Sequence, residues 1–169
     1  MVRSVVGVLG ARLVVVPVAR AGPAEDCNQT RDLSRQLRGC TDYIKQGAGG
    51  QKNLATAYLN RANVYAQRGK HPLALADFAS AIGLDPGNAL SPYNRGIVYL
   101  DTRRYELAIA DFTRAIELEP RFALAYLNRG LSHEARGDND AAVKDYRRVL
   151  ALDPAVEAAQ RRLRILEGH

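Results

Sequence analysis

A 34-residue period dominates this 169-residue chain, and a repeat of that length constrains the fold more than any other feature. Asn60-Arg61-Ala62, Asn94-Arg95-Gly96 and Asn128-Arg129-Gly130 fall in register, as do Pro86, Pro120 and Pro154. Between these markers recur Tyr65, Tyr99 and His133; Ala74, Ala108 and Ala142; Phe78, Phe112 and Tyr146; and Ala81, Ala115 and Val149. Ile82, Ile116 and Leu150, then Leu84, Leu118 and Leu152, complete the pattern. Three copies of one supersecondary unit, each unable to bury its apolar face alone, must stack on one another.

The spacing specifies that unit. Ala62 and Tyr65 lie three apart, and Ala74, Phe78 and Ala81 continue at four and seven, so each set shares one helical face. Each copy therefore reads as two amphipathic helices. The first ends near Gly69 or Gly137, residues able to adopt a left-handed cap, whereas Arg103 stands at that turn in the middle copy. Asp85-Pro86, Glu119-Pro120 and Asp153-Pro154 end the second helix, because proline disfavours helical geometry in the residue before it. Small side chains at Ala62 and Ala74 let the two backbones approach, and Tyr65 and Phe78 fill the space beside them. The absence of Trp, only three Phe, and 47% apolar with 25% charged residues agree with an all-α globular chain. Collagen-like, low-complexity and disulfide-dense classes are excluded.

With its 34-residue period and its order of small, aromatic, small, aromatic and proline positions, the sequence resembles the tetratricopeptide repeat family over Ala55 to Pro154. The resemblance implies an all-α superhelix of antiparallel helix hairpins with a concave groove. Pro92 sits where the family usually has a bulky aromatic, and His133 occupies a tyrosine slot. Leu33 to Lys45, with Leu37, Cys40 and Ile44 on one face, looks like the second helix of a degenerate leading repeat, followed by a flexible Gly47-Ala48-Gly49-Gly50 link. After Pro154, apolar Val156, Ala159, Leu163 and Leu166 among Gln160, Arg161, Arg162 and Arg164 suit a solvating cap helix. The expected organisation is a leading segment at 22–54, repeats at 55–88, 89–122 and 123–156, and a cap at 157–169, with eight helices in all.

Residues 1–21 read as an export signal: a basic start at Met1 to Arg3, a largely apolar Val5 to Val18 interrupted by Arg12, and the small-x-small Ala19-Arg20-Ala21. Export, with the bacterial periplasm as the expected compartment and the cytoplasm as the alternative, fits the two cysteines. An even count of cysteines just after an export signal reads as one Cys27–Cys40 disulfide, the alternative being two unrelated buried thiols, and without a neighbouring His they make at most half a metal site. The formal charge of +6 falls to +3 once residues 1–21 and their three arginines are set aside, and no basic run is interleaved with aromatics. A nucleic-acid partner is not expected, nor a membrane span.

Candidate binding chemistry lies on the first helix of each repeat. Asn60, Asn94 and Asn128 recur once per copy, offset by two from the small slot and aimed at the concave wall. An amide offers a donor and an acceptor, so such a ladder can hold an extended peptide backbone without reading its sequence; the alternative is that each Asn bridges neighbouring repeats. Similar ladders line other members of the family, and the resemblance implies peptide binding. Leu59, Asn63 and Ala66, then Tyr93, Ile97 and Leu100, then Leu127, Leu131 and Glu134 complete a wall more apolar than charged. Members of the family that clamp a C-terminal carboxylate use basic residues where this chain has Leu59, Leu124 and Asn128, although Asn63 and Asn94 fit, so a carboxylate clamp is not expected.

Arg61, Arg95 and Arg129 stand where the family usually has Leu, each sixteen residues before Asp77, Asp111 or Asp145. Antiparallel helices would bring these together as three semi-buried structural ion pairs. His71, His133 and His169 have no metal-ligand partner at helical spacing, and no phosphate loop, zincin motif or nucleophile elbow is present. The expected protein is thus a non-catalytic interaction module without cofactor or metal, binding a protein or peptide in its groove; the alternative is a structural protein that self-associates into a homo-oligomer.

Overall fold

The computed structural model describes residues 22–47 and 49–168, so the expected export signal lies outside the described residues. Those residues form nine helices and no strand: α1 Pro23–Asn28, α2 Leu33–Gln46, α3 Gly50–Gln67, α4 His71–Leu84, α5 Leu90–Asp101, α6 Tyr105–Leu118, α7 Ala123–Ala135, α8 Asn139–Leu152 and α9 Glu157–Glu167. One helix more is present than the eight expected. The addition is α1, a six-residue helix too short to show periodicity, which packs on α2 as the first half of the leading repeat. Helix α3 begins at Gly50, five residues before the expected repeat boundary, which narrows the glycine link.

Local chemistry accounts for the boundaries. The Asp32 carboxylate accepts from the Ser34 and Arg35 amides at 2.8 and 3.0 Å and starts α2. Helices α4, α6 and α8 stop where Asp85, Glu119 and Asp153 leave helical geometry just ahead of a proline. The first helices of the repeats end in matching paired bonds. Gly69 N–H donates to the Ala66 carbonyl and Lys70 N–H to that of Tyr65, both at 2.9 Å; Gly137 and Asp138 repeat the arrangement. Arg103 makes the same turn at φ +58°, the one non-glycine at positive φ among the described residues.

Packing follows the repeat. Ala74, Ala108 and Ala142 are wholly buried, as are Phe78, Phe112 and Tyr146. Gly96 and Gly130 press on those rings so closely that an added Cβ would sit 2.8 Å from Phe112 Cε1 and 2.7 Å from Tyr146 Cε1. Consecutive hairpins then stack through α2 on α3, α4 on α5, α6 on α7 and α8 on α9. The buried small positions Ala57, Ser91 and Ala125 recur at the same 34-residue spacing in Ala159. Helix α9 therefore takes the place of the first helix of a fourth repeat.

Candidate functional site

Helix α1 touches α3, α3 touches α5 and α5 touches α7, so the first helices line up as the inner wall of the stack. Each asparagine of the ladder spends its amide N–H on the element before it. Asn60 Nδ2 donates to the Cys27 carbonyl at 3.3 Å and to Asn28 Oδ1 at 3.2 Å. Asn94 Nδ2 donates to Asn63 Oδ1 at 3.0 Å. In the second repeat the position matching Asn63 is held by Ile97, which has no acceptor, so Asn128 Nδ2 of the third repeat turns to the Tyr93 hydroxyl at 3.1 Å. The amides thus bridge neighbouring repeats. Their own oxygens accept nothing among the described residues and remain able to take a donor from a ligand.

Two clefts open along this wall. The first, of about 300 Å³ between α3 and α5, has Asn63, Asn94 and Ile97 on its sides, Phe78 and Val98 beneath, and Asp101 exposed at its mouth. The second, of about 490 Å³ between α7 and α9, is lined by Leu127, Leu131, Ala158, Arg161, Arg162 and Ile165. Leu59, expected on the wall, is instead 7% exposed and belongs to the core with Ala62, Ala74, Phe78 and Val98, so it has little surface for a ligand. Tyr93 is half-buried: its ring lies 4.5 Å from that of Phe122 and 5.8 Å from that of Phe112, and burial raises its hydroxyl pKa. It fills volume beside Pro92.

Sequence reasoning missed Gln67, His71, Val98 and Asp101 in the first cleft, because they come from the far end of the first helices and the start of α4. The fourth-repeat residues of the second cleft carry a usable signal. Extending the 34-residue register once more places Arg162 in the slot of Asn128, Arg161 in that of Leu127 and Ile165 in that of Leu131.

Behind the wall, three arginines fork onto three aspartates. Arg61 meets Asp77 through Nε and Nη2 at 2.7 and 2.8 Å, Arg95 meets Asp111 at 2.7 Å through both, and Arg129 meets Asp145 at 2.9 and 2.7 Å. The aspartates are 6, 6 and 5% exposed, and their hydrogen bonds raise each guanidinium pKa further. Tyrosine faces add to this: Arg61 lies 5.4 Å from the ring centre of Tyr58 and Arg129 5.4 Å from that of Tyr126. Each fork ties a first helix to its second, and Arg129 Nη1 also donates to Thr113 Oγ1 at 3.0 Å, joining the third repeat to α6.

Cys27 and Cys40 are joined by a disulfide that pins α1 to α2, and both are buried. A small pocket of about 190 Å³ beside it is walled by Asn28, Tyr43, Asn53 and Thr56. His71, at the first cleft, and His133, in the tyrosine slot, each bury an Nδ1 with no hydrogen-bond partner among the described residues. Burial lowers the His133 pKa, an effect that the nearby Asp145 and Asp138 carboxylates oppose without reversing it. Among the described residues no three His, Cys, Asp or Glu gather as a metal cage, and no helix is long and apolar enough to cross a membrane.

Residues 53–89 and 93–163 match the tetratricopeptide repeat family, and the chain belongs to it. Among solved structures it is similar to the first tetratricopeptide domain of Spaghetti (RPAP3) bound to the HSP90 peptide SRMEEVD. The identity is 30% over 72% of this chain and 94% of that one, with a TM-score of 0.67. The second such domain of human RPAP3, in complex with the HSP70 peptide SGPTIEEVD, is 31% identical over 70% of this chain and 98% of that one, with a TM-score of 0.67. MamA covers 86% of this chain and 83% of its own length at a TM-score of 0.76, but at 22% identity it speaks to the fold alone. No curated protein matches the chain in sequence.

Proposed function

We propose that this chain is a non-catalytic interaction module that holds an extended protein segment along the inner wall formed by α3, α5, α7 and α9. The observation that carries this reading is the first cleft, lined by Asn94, whose side-chain oxygen accepts nothing among the described residues, together with Ile97 and the apolar Phe78 and Val98. A peptide laid there can give a backbone N–H to the amide and an apolar side chain to the floor. The peptide-bound state of the RPAP3 domains supports the class of ligand. It does not carry over their C-terminal EEVD sequence, because Leu59, Leu124 and Asn128 occupy slots where a carboxylate clamp needs cations.

The test is affinity capture from native extract with the full chain in parallel with Ile97→Asp, whose helicity is verified. Specific proteins held by the wild type and lost by the variant support the reading. Equal capture by both places binding on another surface. The buried Cys27–Cys40 bridge supports action in an oxidising, exported compartment such as the bacterial periplasm. The 1–21 and 22–54 leading units, repeats 55–88, 89–122 and 123–156, and the cap at 157–169 are the units in which we propose this module is built.

Self-association into a homo-oligomer is the second reading. Leu73 and Leu107, at equivalent positions on the second helices α4 and α6, are 49% and 41% exposed and form a repeated apolar feature away from the inner wall. Light scattering across concentrations separates the two readings, since a peptide-binding monomer keeps one mass.

A further inference from the structure

We infer that the cleft between α7 and α9 receives a bulky apolar side chain from a protein segment whose flanking residues are acidic. The inference rests on the groove reading above and names the chemistry of the ligand at one end of the groove. Leu127, Leu131 and Ala158 line this cleft, and Ile165 beside them is 66% exposed, the most exposed large apolar residue described. A concave apolar surface of this kind gains most from a side chain that displaces its water.

The charge at the rim sets the neighbours of that side chain. Arg161 and Arg162 line the cleft from α9, Glu134 reaches Arg162 from α7, and Glu157 stands one turn before Arg161 on α9. Glu134 is already spent. Its Oε2 accepts from the buried Tyr146 hydroxyl at 2.8 Å and its Oε1 from Arg162 Nη1 at 3.0 Å. Arg161 lines the cleft and makes no ion pair within 4 Å among the described residues, so its guanidinium at the mouth is able to meet a carboxylate of a ligand. A guanidinium in that position favours a carboxylate, and favours it more beside apolar surface than in open water.

The repeat makes the same point. Where the first three copies present a neutral amide at the ladder position, the fourth presents Arg162, and Arg161 replaces Leu127 in the next slot. With Arg162 held by Glu134, the groove offers the Arg161 guanidinium at this end where the earlier copies offer apolar Leu127 and its counterparts. A second copy docking its α9 on this one is disfavoured, because Arg161 and Arg162 would each face their own counterparts. No aromatic side chain lines the cleft to stack a nucleobase, which disfavours single-stranded nucleic acid.

The test uses the full chain, isotopically labelled for amide NMR, titrated with three synthetic peptides: Ser-Glu-Glu-Leu-Glu-Glu-Ser, its Lys-for-Glu counterpart, and the Glu peptide with Ser in place of Leu. The expected result is saturable shifts at Leu127, Leu131, Ala158 and Ile165 with the first peptide, and binding weaker by about tenfold or more with each of the others. Arg161→Glu is expected to reverse the preference toward the Lys peptide, which a merely structural role for Arg161 would not do. Shifts confined to Asn63, Asn94 and Ile97 would overturn the inference while leaving the groove reading intact. Equal response to the Glu and Lys peptides, no response to any of the three, or stronger binding of an oligothymidine probe at the same residues would also overturn it.

Discussion

Asn94 donates to the Asn63 side-chain oxygen at 3.0 Å across the seam between α3 and α5, so a residue that lines the groove also holds two repeats together. A half-buried neutral bond of this kind contributes about 1 kcal/mol. Asn94→Ala is expected to lower the stability measured by urea unfolding by about that much. Asn63→Ala should cost a similar amount, and the double variant little more than either alone. Additive losses in the double-mutant cycle would show that the two side chains act independently.

Arg103 at φ +58° occupies a turn that Gly69 and Gly137 make in the other repeats. A side chain in the left-handed region is strained by roughly 1 kcal/mol, part of which returns as lost chain entropy when glycine replaces it. Arg103→Gly is expected to raise stability by about 0.5 kcal/mol and the melting temperature by a degree or two. A lower melting temperature would mean that the Arg103 side chain makes a compensating contact.

The Arg95–Asp111 fork is the most exposed of the three pairs on its arginine side, with the guanidinium chain 24% accessible. Asp111→Ala leaves that cation half-buried without its carboxylate, and a loss of about 3 kcal/mol is expected in chemical denaturation. Replacing both partners, as Arg95→Met with Asp111→Leu, should recover most of it. An Asp111→Ala melt that matched wild type would remove the pairs from the account of stability.

His133 introduces a pH dependence of known sign. Burial holds its folded pKa below the ordinary 6.5, so the unfolded chain binds the proton more readily. Stability from this residue is complete above pH 6.5 and falls as the pH drops from there toward the folded pKa. His133→Tyr, which restores the residue type of Tyr65 and Tyr99, should flatten the stability profile across that acid window and leave neutral pH nearly unchanged. An unchanged acid limb would assign it to the carboxylates.

Reduction of Cys27–Cys40, with thirteen residues of sequence separation, should cost roughly 3 kcal/mol through the loop it frees. The effect should concentrate at the leading end, since α1 is six residues long and rests on α2 and α3. Hydrogen exchange after reduction is expected to accelerate in α1 and α2 while α5 to α8 keep their protection. Uniform loss across all repeats would mean that the stack unfolds as one unit.

The sequence revealed most where one rule was written three times. The small residues facing Phe78, Phe112 and Tyr146, the prolines after each second helix and the sixteen-residue Arg-to-Asp spacing are readable because each repeats a local geometric need. Helix α1 was not readable, since six residues show no period and its place depends on a disulfide and on Gly39, where an added Cβ would collide with Asp26. The partners of the ladder were hidden for a different reason. Whether Asn128 finds an amide or a phenol depends on α5 carrying Ile97 where α3 carries Asn63, a property of two repeats together. Leu59 illustrates the reverse error, because a leucine beside the core face can turn inward, and it does.

The claim that the inner wall is the binding surface is tested most directly by site-specific photocrosslinking. A photoreactive residue at Ile97, in the first cleft, is compared with one at Leu107, exposed on α6, each in the full chain expressed in its own cell type. The account predicts adducts with other proteins from position 97 and few or none from position 107. Adducts from 107 with none from 97, or from both positions only with a second copy of the chain, would contradict it.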